Sequence, residues 1–175
     1  MFMERLNLFD IDGTLTRTQS GFMLFNQAIL DTFNVAGDIR SVFPDGMTDP
    51  RILEEIFAKS DAAVAIGAGQ LEQFADHLRK NYAAALKDGT TTIRALAGAP
   101  ELLERLSGDG KFAQGVVTGN FEATARMKLE AAGLAGHLSV GAYRYPIEDL
   151  EYYRPNATLA DLTDTGAVIE LLGKI

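Results

Sequence analysis

The stretch that most constrains the fold is Leu6-Asn7-Leu8-Phe9-Asp10-Ile11-Asp12-Gly13-Thr14-Leu15-Thr16. An apolar run stops abruptly at two aspartates on alternate positions, followed by a glycine. A short buried strand delivers both carboxylates to its C-terminal end, where open α/β sheets place their sites. Gly13 lets the backbone turn sharply just beyond them. Two acids crowded at a strand tip repel each other, and a hard cation such as Mg²⁺, held by oxygen ligands, relieves that repulsion. A solvated turn after an edge strand has the same local pattern, so these residues alone leave both readings open.

Downstream the periodicity turns helical. Gly21 to Val35 reads as an amphipathic helix with Phe22, Phe25, Ile29, Leu30 and Phe33 on its apolar face. Asp49 as N-cap and Pro50 at the first helical position predict a helix over Arg51 to Lys59. Another is predicted from Gln70 to Leu86, with Leu71, Phe74, Ala75, Leu78 and Tyr82 on one face. Residues 17–90 therefore read as helical and without a strand. Ala99-Pro100-Glu101 opens a helix over Glu101 to Leu106, ended by Ser107-Gly108-Asp109-Gly110. Phe112 to Val117 reads as a second buried strand, Phe121 to Ala132 as a helix closed by Gly133, and Leu138 to Tyr143 as a third strand.

The second strand ends in Thr118-Gly119-Asn120. A hydroxyl and exposed backbone N–H groups beside a helix N-terminus suit a phosphoryl oxygen. Thr118 as a plain helix cap in a common turn is the alternative. Lys128 lies two turns into the next helix, where a lysine is ordinarily a solvated charge. Arg51 stands in the loop Gly46-Met47-Thr48-Asp49-Pro50-Arg51, either as a bidentate carboxylate ligand or as an exposed first-turn residue. His77 and His137 show no metal-ligand spacing; the pattern puts His77 on a helix surface and His137 in a loop.

The run Asp10-Ile11-Asp12-Gly13-Thr14-Leu15-Thr16 resembles the first signature of the haloacid dehalogenase (HAD) superfamily, most of whose members are Mg²⁺-dependent phosphatases. Val116-Val117-Thr118-Gly119-Asn120 is similar to its second signature. Met127-Lys128-Leu129-Glu130-Ala131-Ala132-Gly133-Leu134 resembles the lysine stretch of phosphoglycolate-phosphatase-like members, and the Gly46–Arg51 loop resembles the cap loop of the same subgroup. The resemblance implies an α/β fold: a HAD-like Rossmannoid parallel sheet flanked by helices, with an inserted helical cap. Residues 1–16 and 91–175 would form the core and 17–90 the cap. It further implies that Asp10 attacks phosphorus and Asp12 serves as acid and base. Asp10 and the Asp12 carbonyl would bind Mg²⁺. Thr118, Lys128, Gly13, Thr14, Gly119, Asn120 and Arg51 would hold the substrate. Arg154, before Pro155, weakly resembles the Lys-Pro that carries the lysine in other branches.

A fourth family element, a strand ending in paired acids that complete the metal shell, is not found in the sequence. The chain from Arg144 to Pro155 has no apolar strand entering an acidic tip, and Asp161-Leu162-Thr163-Asp164 reads better as the N-cap region of a helix from Gly166 to Leu172. Glu148, Asp149 and Asp161 are weak substitutes. A segment between about 144 and 160 reads as absent, which predicts a small sheet of three parallel strands with an open edge that a second copy could cover as a homodimer.

Composition narrows the function classes. The 175 residues carry 24 acids against 16 Lys plus Arg, a net charge of −8, with no basic stripe, so no nucleic-acid partner is expected. A phosphate site on such a chain has to be local. No apolar run spans a bilayer and Met1 to Arg5 begins no secretion signal, so no membrane partner and a cytoplasmic location are expected. The absence of cysteine removes disulfide and thiolate chemistry. The reading is thus a hydrolase of a small phosphorylated metabolite. The alternatives are a degenerate, non-catalytic binding module of the same fold and a phosphomutase.

Overall fold

The computed structural model describes residues 5–60, 64–109, 111–140, 165–166 and 169–170. The chain divides into two compact units: Met1–Arg17, Ile93–Thr118 and Lys128–Ile175 form one, and Thr18–Thr92 with Gly119–Met127 form the other. The expected boundaries give residues 119–127 to the core; contacts place them in the second unit.

The first unit is built on a parallel three-stranded sheet of β1 (Arg5–Phe9), β4 (Phe112–Val116) and β5 (Ser139–Val140), in the order β1-β4-β5. Phe9 pairs with Val116, so β1 and β4 end level, and Val117 N–H extends the ladder to the Phe9 carbonyl at 3.0 Å. Helix α4 (Ala99–Gly108) lies against this sheet: its fully buried Leu102 and Leu106 meet Phe9, Phe112 and Ile169. Ser107 and Gly108, read as a stop, continue the helix because a C-terminal glycine costs little before the chain leaves. Two further strands, β2 (Thr16–Thr18) and β3 (Ile93–Ala95), pair with each other in a separate ribbon. Of the two, β2 corrects the strand-free reading of residues 17–90 at its first two positions, and β3 lies just beyond that range. Three residues are too few to show a period of two.

One face of β1 departs from the buried strand expected. Asn7 and Phe9 are partly covered, whereas Leu6 and Leu8 are 64% and 55% exposed. Successive side chains point to opposite faces, and α4 covers only one of them.

The second unit is helical. It contains α1 (Gly21–Phe33), α2 (Asp49–Ala58), α3 (Ala68–Asp88) and the first turns of α5 (Glu122–Ala131), whose last residues belong to the first unit. Phe74 of α3 is completely buried. Its ring meets Phe25 edge-on at 4.9 Å and Phe121 at 6.0 Å, while Phe33 meets Phe57 at 5.0 Å. Two residues of the expected α1 stripe, Phe22 and Leu30, lie outside this core at 38% and 45% exposure. The stripe that packs is narrower, made of Phe25, Ala28 and Ile29, and Phe22 instead carries the Arg40 guanidinium 4.6 Å above its ring. Thr48, not Asp49, caps α2: its side chain accepts from Arg51 N–H, and Asp49 and Pro50 are the first two helical residues.

Of the third expected strand, Leu138 to Tyr143, residues 138–140 are described; Ser139–Val140 form β5 and Leu138 ends the preceding 3₁₀ turn. Residues 166 and 169–170 are helical, as expected within Gly166–Leu172, and Thr165 just before that range is helical too. The stretch 144–160, with Arg154, Glu148 and Asp149, and also Asp161, lies outside the described residues.

Candidate active site

The level ends of β1 and β4 bring two loops out side by side in the first unit. After Phe9 the chain enters a turn from Ile11 to Thr16. Leu15 and Thr16 N–H both donate to the Ile11 carbonyl, at 3.0 and 2.8 Å, and Gly13 N–H donates to the Thr16 carbonyl at 3.0 Å. Gly13 has φ +79°, left-handed backbone that a side chain resists. Ile11 and Leu15 are fully buried and anchor the turn, so the alternate positions, Asp10 and Asp12, face outward. Thr14 is half-buried in the same turn.

Asp10 is the focus of this arrangement. Desolvation by the surrounding protein raises its carboxyl above the ordinary value, and the neighbouring Asp12 charge adds to the rise. The Ile11 N–H, the Lys128 charge and the Thr118 hydroxyl, which donates to the carboxylate, pull the other way. Thr118 is therefore joined to Asp10 across the two strand tips, beyond any role as a cap.

Lys128 is not a solvated charge. The residue is 6% exposed, and its Nζ lies 2.9 and 2.7 Å from the two carboxylate oxygens of Asp12, whose side chain is 46% exposed. The lysine that the family resemblance assigns to the nucleophile and the phosphate thus makes its direct contact with Asp12 and acts on Asp10 through its charge. A buried ammonium requires such a partner, since desolvating an unpaired one is costly.

The remaining expected site residues lie in the second unit. Gly119 packs against Met47 and Thr48, with Asn120 beside it partly buried. Arg51 is exposed and forms ion pairs within its own helix, to Glu54 at 3.2 Å and Glu55 at 2.8 Å. His77 is half-buried rather than on the helix surface, with Nδ1 3.0 Å from Thr32 Oγ1. His137 stands in a 3₁₀ turn, 3.4 Å from Ser107 Oγ.

Among the described residues no cluster of three or more His, Cys, Asp or Glu stands ready for a metal. The hard oxygen donors at the strand tips are Asp10 and Asp12. That set fits Mg²⁺, which keeps several waters and takes one or two carboxylates together with substrate phosphate.

One residue of consequence escaped sequence reasoning. Asp49, read as a cap, is buried and bonded to the loop after Thr118. The adjacent Thr48 is an equally good cap, and that redundancy was the available signal.

A family model described as haloacid dehalogenase-like hydrolase matches residues 8–159. Among solved structures, a hydrolase from Pseudomonas syringae matches with a TM-score of 0.56 and 25% identity, over 81% of this chain and 61% of that one. A predicted phosphoglycolate phosphatase from Haemophilus somnus 129pt matches at 0.51 and 19% identity, over 79% and 61%. CbbY from Rhodobacter sphaeroides, in complex with phosphate, matches at 0.53 and 15% identity, over 80% and 64%. The last two show the fold alone. The chain spans about three fifths of the length of these neighbours. No curated protein gives a significant match. Among the described residues no helix is long and apolar enough to cross a membrane.

Proposed function

This chain belongs to the haloacid dehalogenase-like hydrolase family, and from that premise we propose that it hydrolyses a small phosphate monoester in a Mg²⁺-dependent reaction through an aspartyl-phosphate. The observation that carries this reading is the convergence of Asp12, Lys128 and Thr118 on Asp10 at two parallel strand tips. Asp10 supplies a carboxylate nucleophile whose raised basicity suits attack on phosphorus. In the first step its oxygen bonds to phosphorus as the ester P–O bond breaks, and the departing oxygen takes a proton from Asp12. In the second, water attacks the aspartyl-phosphate, Asp12 takes the water's proton, and phosphate leaves Asp10 as a free carboxylate.

Asp12 has to part from Lys128 to carry a proton. A phosphate dianion is a stronger competitor for the ammonium than one carboxylate, so substrate itself draws Lys128 away. Thr118 and Lys128 then hold the phosphoryl oxygens, the electrostatic contribution that dominates this chemistry. The Asp10 carboxylate and the Asp12 backbone carbonyl would hold Mg²⁺, which would supply positive charge to those oxygens. Gly13, Thr14, Asn120 and Arg51 remain candidate substrate contacts. The paired acids among the described residues stop at two, which favours the second reading, a binding module without turnover.

The test is Mg²⁺-dependent phosphate release from p-nitrophenyl phosphate and from phosphoglycolate, the latter suggested by the name of the Haemophilus neighbour. Asp10→Asn is the control, with the intact mass verified. Release that vanishes in Asp10→Asn is the expected result. Equal, background-level release from both folded proteins would overturn the enzyme in favour of the binding module.

A further inference from the structure

Asp49 is only 7% exposed, an unusual burial for a first-turn carboxylate on a helix that Thr48 already caps. Its backbone N–H donates to the Gly119 carbonyl at 2.8 Å, and its Oδ2 accepts the Phe121 N–H at 2.9 Å. Phe121 immediately precedes α5, so Asp49 caps the start of that helix as well as standing in the first turn of its own. Both positive helix ends favour its charge.

Gly119 completes the contact. A Cβ built there would lie 2.2 Å from the Met47 carbonyl oxygen and 2.9 Å from the Thr48 Cα, both backbone atoms that no rotamer change can move. Its φ is not among the positive values of the chain. The glycine therefore serves close approach of two backbones rather than an unusual turn. On the far side, the Phe121 carbonyl accepts from Ala125 N–H and from the buried Thr124 hydroxyl, each at 2.9 Å, and the Phe121 ring meets Phe74. The start of α5 is thus held from two directions, by Asp49 and by Phe74, while Glu122 and Ala123 face solvent.

We propose that Asp49 and Gly119 are positioning residues, locking loop 46–49 to loop 119–121 so that the start of α5 is set. Thr118 is bonded covalently to one end of this clamp. Lys128 follows Phe121 by seven residues in the chain and stands on α5. The clamp itself is independent of the proposed phosphatase activity; its consequence for Thr118 and Lys128 rests on that reading.

The experiment combines amide hydrogen exchange with p-nitrophenyl phosphate kinetics on the full chain and its Asp49→Ala, Asp49→Asn and Gly119→Ala variants. In the wild type the Asp49 and Phe121 amides are expected to exchange at a common slow rate, because they open together. In Asp49→Ala the amides from Phe121 to Lys128 speed up by about tenfold or more. Its kcat falls by about tenfold or more while KM moves less than about twofold, since displaced groups weaken the transition state rather than binding. Asp49→Asn keeps an acceptor for Phe121 N–H and recovers most of both. Gly119→Ala behaves as Asp49→Ala.

Unrelated exchange rates for Asp49 and Phe121 in the wild type overturn the clamp, even if the alanine variants fail to fold. Asp49→Ala with a lower Tm but unchanged kcat and unchanged exchange beyond Phe121 reduces the contact to stability and overturns the positioning role. A wild type that hydrolyses nothing defeats the phosphatase reading alone. The exchange pattern then decides the clamp by itself.

Discussion

At the scale of single residues the pairing of Lys128 with Asp12 is asymmetric. The lysine is buried and the aspartate half-exposed. Lys128→Met removes a buried charge and leaves Asp12 to water, so stability should change by no more than about 1 kcal/mol while phosphate release is lost. Asp12→Ala takes the two carboxylate contacts at 2.9 and 2.7 Å away from the buried ammonium and should cost about 2 kcal/mol, discounted from the fully buried case because one side of the pair is wet. Urea unfolding of the two variants compares them directly, and equal costs would contradict the asymmetry. Asp10 leads to a pH prediction. Its carboxyl is raised in the folded protein, mainly by desolvation, so the native state holds that proton more tightly than the unfolded chain. The resulting stability is present below the ordinary value of 3.8 and is lost as pH rises through the folded value. Asp10→Asn removes this penalty. In metal-free buffer its Tm should exceed the wild type's at pH 7, and the gap should close by about pH 3. A gap that stays constant with pH would place the effect outside ionisation.

At the scale of elements, helices were legible and their faces only partly so. The period of α3 puts Leu71, Phe74, Ala75, Leu78 and Tyr82 on one face; Phe74, Leu78 and Tyr82 are buried, and Leu71 and Ala75 are only partly covered. The expected stripe of α1 is wider than the one that packs, since Phe22 and Leu30 sit at its margins and packing partners decide how far a stripe is covered. The difference is measurable. Phe74→Ala should cost about 3–5 kcal/mol, because the ring is fully enclosed. Phe22→Ala should cost about 1 kcal/mol, a partly wet ring and one cation–π contact. Thermal or urea unfolding with similar losses for both would show that the core is misassigned. The cap of α2 could not be placed from sequence because Thr48 and Asp49 are both good cap residues; tertiary contact with Phe121 selected Asp49 for another task.

At the scale of the whole molecule, charge becomes the relevant variable. A net charge of −8 repels a phosphate dianion at distance, and Lys128 spends its own charge on Asp12. For p-nitrophenyl phosphate, kcat/KM is expected to rise severalfold between about 10 and 150 mM salt, as the Debye length shrinks from about 30 to 8 Å. A fall with salt would reveal a basic approach path instead. The sequence by itself determined the family and which residues stand at the strand tips. Asp10, Asp12, Gly13 and Thr118 stand at fixed distances along the chain from their strands, and local covalent order is enough to place them. It also determined the helices, through periodicity. Tertiary structure alone decided that Lys128 is buried on Asp12, that Asp49 leaves its own cap position to hold Phe121, and that Gly119 must lack a side chain. Each is a contact between residues 71 to 116 positions apart. No local pattern records which distant backbone will come within van der Waals reach.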